Sequence, residues 1–105
     1  MAQFDVYNNP SKATQKAYPY ILELQSELIS DIATRIVVPL ADYKYMRSEA
    51  LKGLTPKVNY DGKELLVLIP QIASMRTKLL QNPIGSLSHL RDEILAALDF
   101  AITGI

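Results

Sequence analysis

Lys57-Val58-Asn59-Tyr60-Asp61-Gly62-Lys63-Glu64-Leu65-Leu66-Val67-Leu68-Ile69 decides how this chain is read. Asp61-Gly62 is a dipeptide that accepts the positive φ angles of a two-residue hairpin turn, so residues 57–60 and 63–69 read as its two antiparallel strands. Outward toward the N-terminus, Gln3 to Tyr7 alternates with period two and ends in the turn-forming run Asn8-Asn9-Pro10-Ser11. Tyr20 to Gln25 alternates again, with Tyr20, Leu22 and Leu24 on one face and Glu23 and Gln25 on the other. The β-branched run Thr34 to Val38 predicts a third strand that stops at Pro39, because proline cannot donate to a ladder. Asp42 to Leu54 is ambiguous, a stretch of helix-compatible residues that Gly53 could end. Toward the C-terminus, Arg76 to Leu80 predicts another short strand before Asn82-Pro83-Ile84-Gly85 breaks the chain. Five or six short strands joined by short turns imply a compact barrel or curled sheet.

The period changes over the last residues. Ser88 as N-cap, Asp92 and Glu93 near the positive end of the dipole, and Gly104 as a stop predict a helix over Ser88 to Thr103. The expected fold class is therefore mainly β with a C-terminal α-helix. At helical spacing Leu90, Ile94, Leu98 and Ala101, extended by Leu87, form the stripe expected to pack on the sheet. Asp92, Ala96, Asp99 and Thr103 fall on the opposite face. Leu95, Phe100 and Ile102 lie on the flanks, marking either a partner surface or extra packing against the barrel.

The 105 residues, without repeat or linker, are expected to form one domain, residues 1–105, with a modest core that dimerisation would support. Eleven basic residues offset eleven acidic ones, so no net field draws the chain to phosphate, and direct nucleic-acid binding is disfavoured. The chain has no cysteine, which removes disulfides and thiolate chemistry and suits a reducing cytosol. No apolar run reaches the length of a membrane span and no export signal is evident, so a cytoplasmic protein without membrane contact is expected.

Residues that could carry chemistry are few. His89 is the only histidine, and without a second His or any Cys it cannot complete a nitrogen or sulfur metal site. Neither the dinucleotide fingerprint nor a phosphate-cradling Gly-Lys-Ser/Thr loop occurs, so no cofactor is expected. Ser26, Ser74, Ser86 and Ser88 read as turn, cap or surface residues, since a nucleophilic serine needs a positioned base. Arg35, Arg76 and Arg91 could in principle hold a phosphate in a metal-free ribonuclease; solvated charge or a structural ion pair is the simpler reading.

Several segments, in order and at similar spacing, resemble the CcdB toxin family. They are Gln3-Phe4 with Val6-Tyr7, Leu24-Gln25-Ser26-Glu27-Leu28-Ile29, and Arg35-Ile36-Val37-Val38-Pro39-Leu40-Ala41. Ile72-Ala73-Ser74, Leu87-Ser88-His89 and the terminal Gly104-Ile105 continue the match. The stretches Asn8 to Ala17 and Asp42 to Leu54 depart from it. The resemblance implies an SH3-like β-barrel of the CcdB/MazF-type toxin fold, capped by the C-terminal helix and assembled as a homodimer. It further implies a non-enzymatic toxin that binds the DNA gyrase A subunit and traps the gyrase-DNA cleavage complex. A CcdA-type antitoxin would neutralise it, and the two together would repress their operon.

By the same resemblance the gyrase-binding residues are Leu28, Ile29, Asp99, Ile102, Thr103, Gly104 and Ile105. From the residues alone, Leu28 and Ile29 read as core packing. The family ending Trp-Gly-Ile is replaced here by Thr103-Gly104-Ile105, and Asp99 stands at a position of Asn type. A metal-free endoribonuclease on the same barrel, or an inactive co-repressor, are the alternatives.

Overall fold

The computed structural model describes residues 2–26 and 33–104. Among them lie seven strands: β1 (Asp5–Asn8), β2 (Tyr20–Glu23), β3 (Thr34–Asp42), β4 (Lys57–Tyr60), β5 (Lys63–Val67), β6 (Ala73–Arg76) and β7 (Gly85–Ser86). Two helices, α1 (Tyr43–Met46) and α2 (Arg91–Thr103), and four 3-10 turns complete the described elements. Every strand pair is antiparallel, in the order β4-β5-β3-β2-β1-β7, with β6 paired to β3. The result is the mainly β half-barrel with a C-terminal helix that the sequence implies.

The β4–β5 hairpin turns where expected, with Asp61 at φ 51° and Gly62 at φ 76°, but β5 ends at Val67, not Ile69, and Ile69–Gln71 is a 3-10 turn. β3 does not stop at Pro39 but runs to Asp42. Along one edge its residues 37–40 pair with β2; along the other, 34–37 pair with β6 and 40–42 with β5. In an antiparallel ladder the N–H and C=O of one residue point to the same edge. The Pro39 carbonyl accepts from the Leu68 N–H at 3.1 Å, so the proline ring faces the gap where β3 changes partner from β6 to β5. No ladder bond needs a donor there.

Other boundaries move for local reasons. β1 begins at Asp5, not Gln3, because Phe4 takes φ 70° and residues 2–5 close a turn, Asp5 N–H to Ala2 C=O at 3.0 Å. β2 ends at Glu23, because the side-chain Oε1 of Gln25, in place of a main-chain carbonyl, receives the Ile36 N–H at 3.1 Å. The strand expected over Arg76–Leu80 lies earlier, at Ala73–Arg76, and Thr77–Leu79 is a 3-10 turn. Within the ambiguous Asp42–Leu54 stretch, Asp42 caps the four-residue α1 through the Lys44 N–H, and Gly53 sits in a later turn without ending a helix.

The C-terminal helix also differs from its expected start. Ser88–Leu90 is a 3-10 turn, α2 begins at Arg91, and Leu90 holds the N-cap position with no side-chain cap. Ile94 and Ala97 are the buried residues of α2, with Leu90, Leu95 and Leu98 packed around them. Leu87, Leu90, Ile94 and Leu98 of the expected stripe pack in the core as read, Leu95 and Ala97 join them, and Ala101 is exposed.

Both faces of the central strands are covered. Tyr20, Leu22, Val38 and Leu40 pack with Leu87, Ile94 and Ala97 on the helix side. Tyr7, Ile21 and Val37 pack with Leu80 and Met75 on the other. Glu23 and Gln25 do fall on this second face, which is buried; Glu23 has no exposed surface. A buried carboxylate is tolerated only if paired and hydrogen-bonded. Arg35 supplies the pairing, its Nε donating to Glu23 Oε2 at 2.6 Å and its Nη2 in contact with the same oxygen. The Tyr7 hydroxyl donates to Glu23 Oε1 at 3.1 Å. Burial, then the charge of Glu23 and its hydrogen bond, raise the Tyr7 phenol well above its usual 10.0.

Two outcomes follow. Arg35→Met leaves Glu23 buried without its counter-charge and costs about 3–5 kcal/mol in urea unfolding, and adding Glu23→Leu restores part of the loss. A single variant within about 1 kcal/mol of the parent would contradict the pairing argument. Because the folded state holds the Tyr7 proton more tightly than the unfolded chain, that contribution is complete below about pH 10 and is lost as pH rises above it. Tyr7→Phe should therefore show a shallower decline in stability above pH 10 than the parent, measured by denaturant midpoint.

Candidate functional site

The residues singled out at the C-terminus converge on one helix end. Asp99, Ile102, Thr103 and Gly104 are all exposed, and Ile102 is 73 % exposed, the most of any large apolar side chain described. Gly104 takes φ 73° and its N–H donates to the Phe100 carbonyl at 2.9 Å, closing the helix with a left-handed cap. Glycine alone adopts that angle without strain. The Thr103 hydroxyl turns back to donate to the Asp99 carbonyl at 2.7 Å, so its polar group is engaged. Leu28, Ile29 and Ile105 lie outside the described residues.

Phe100, placed on a flank by the sequence, is 41 % exposed and sits against Gly53. The turn at Lys52–Gly53, with Pro56, and the Glu93–Ala96–Phe100 side of α2 border an open apolar groove of about 620 Å³. Sequence reasoning missed this groove because it depends on a loop folding back onto the helix. Its only local trace is Gly53, whose φ of 82° shapes the turn and whose lack of a side chain admits the ring.

The candidate chemical groups are dispersed. Arg35 is 1 % exposed and committed to Glu23, so it is not free to meet a phosphate. Arg76 and Arg91 are exposed on different elements. His89 is exposed in the 3-10 turn before α2, and no hydrogen bond joins its ring to Ser88 among the described residues. No group of three or more His, Asp or Glu residues able to hold a metal ion occurs among the described residues, and no helix there is long and apolar enough to cross a membrane. The C-terminal end of α2 presents the exposed Ile102 beside Asp99, Thr103 and Gly104.

A family model described as CcdB protein matches residues 3–104, nearly the whole chain, and the protein therefore belongs to the CcdB family of toxins from toxin-antitoxin systems.

Proposed function

We propose that this toxin acts by binding, not by catalysis: the end of α2 docks on the dimerisation region of the DNA gyrase A subunit and holds the enzyme on cleaved DNA. The observation that carries this reading is Ile102, an isoleucine 73 % exposed in the last turn of a helix whose Ile94, Leu95 and Leu98 pack on the core. An apolar side chain left in water at a fixed position gains about 1.5–3 kcal/mol when a partner covers it. The contact set is Leu28, Ile29, Asp99, Ile102, Thr103, Gly104 and Ile105, with a homodimer as the functional unit in the cytoplasm. A CcdA-type antitoxin neutralises the toxin by covering apolar surface at the helix flanks, and the pair represses its own operon.

A variant ending at Ile102 should stay folded and dimeric, because Ile94 and Ala97 hold the helix to the sheet, and should lose gyrase poisoning. Ile102→Asp should raise the concentration needed to trap cleaved DNA by about 30-fold or more, the loss expected of a hot-spot residue. Wild-type potency from either protein would place the contact elsewhere. Thr103→Trp adds a ring able to bury about 150–250 Å² and should bind gyrase from a sensitive host at least as tightly as the parent, read by calorimetry.

A further inference from the structure

Ala97 is the last buried residue of α2 and Leu98 the last that packs on the core, while residues 99–104 are all exposed. Two large apolar side chains lie in this final stretch, Phe100 at 41 % and Ile102 at 73 % exposure. Phe100 is set against another element. A Cβ at Gly53 would lie 3.3 Å from its Cδ2 and Cε2, so the ring rests on the bare backbone of the Lys52–Gly53 turn.

That turn is held by its own hydrogen bonds. The Leu51 carbonyl accepts from the N–H groups of Leu54 and Thr55 at 3.0 Å each and from the Thr55 hydroxyl at 3.1 Å. The same hydroxyl accepts from the Leu51 N–H at 2.7 Å. Thr55 is buried, and the Pro56 carbonyl next to it accepts from the Val67 N–H at 2.9 Å, which ties the turn to β5. Within it Gly53 holds φ 82°, an angle that strains any side chain and a β-branched one most. Phe100 also reaches outward, since its carbonyl receives the Gly104 N–H that closes the helix at 2.9 Å. One residue therefore joins the turn to the cap, with Ile102 between them.

We propose that Gly53 and Phe100 position the docking end of α2: the ring seated on the bare turn fixes the direction in which Ile102 and Gly104 are presented. Freedom lost on docking subtracts from affinity, so a contact held in place beforehand binds more tightly than the same contact on a loose end. The proposal rests on the docking assigned to Ile102, but the positioning itself is measurable without gyrase.

Backbone amide order parameters of the full-length protein read it directly. Those of Ala101 and Ile102 should stand near the rigid value of about 0.85 in the parent and in Phe100→Tyr, which keeps the ring, and fall below about 0.6 in Phe100→Ala and in Gly53→Val. The double variant should be no looser than either single one, because both substitutions remove the same contact. Gly53→Ala should loosen the same amides less, and it keeps the test open should circular dichroism show that valine prevents folding. In a gyrase cleavage assay Gly53→Val, outside the docking residues, should raise the concentration needed to trap cleaved DNA about tenfold or more. Parent-like order parameters in every folded Gly53 variant, additive loosening in the double variant, or parent potency from a variant whose helix end has loosened would overturn the proposal. A parent that traps no cleaved DNA would sink the docking reading instead, and the order parameters would still decide whether Gly53 holds the helix end.

Discussion

The strand Thr34–Asp42 must satisfy three partner strands at once, and the rest of the structure is arranged around that requirement. Nine residues are long enough for β6 and β5 to pair in succession along one edge while β2 pairs along the other. Pro39 occupies the one stretch of that edge where no donor is needed. Because strands twist and successive partners cannot lie in one plane, the sheet curls and leaves a concave face for α2. The ends of the strand order meet across the curl: the Tyr60 ring of β4 fills the space that a side chain at Gly85 of β7 would need.

Burying both faces of β2 and β3 explains the Glu23–Arg35–Tyr7 group. A strand buried on one side would turn Glu23 to water; here the second face is closed by Leu80 and Met75, so the carboxylate brings its own counter-ion from the neighbouring strand. Such a pair offers little net stability over apolar residues of the same size, but it penalises any register that separates the two charges. Arg35 is therefore a residue of the fold, although its type suits phosphate chemistry.

The fold class was legible because its signals are local. Asp61-Gly62 specifies a hairpin by backbone angle, and Gly104 specifies a helix end in the same way. What was illegible depends on residues far apart in sequence. Pro39 reads as a strand end until the partner change on its far edge is known, and nothing local shows that the face carrying Glu23 is buried by Leu80 packing against Tyr7, Ile21 and Val37. The helix stripe was legible at Leu87, Leu90, Ile94 and Leu98, and only Ala101 departs from it, exposed near the end of α2. At the candidate site, helical spacing put Asp99 and Thr103 on the exposed face and Ile102 on a flank, and the resemblance grouped them, whereas the groove beside Phe100 required the Gly53 turn to fold onto the helix.

Along one short helix Ile94 and Ala97 anchor α2, while Ile102 and Gly104, to which the proposal assigns docking, are exposed. An exposed helix end of this kind exchanges its amide hydrogens quickly when free, which gives a docking event a large signal. Hydrogen exchange of the full-length protein, with and without the dimerisation region of the gyrase A subunit, therefore tests the central claim most directly. The account predicts slowed exchange at the amides of Asp99 to Gly104 in the complex. Unchanged exchange across those residues, in a sample where binding is independently established, would contradict it.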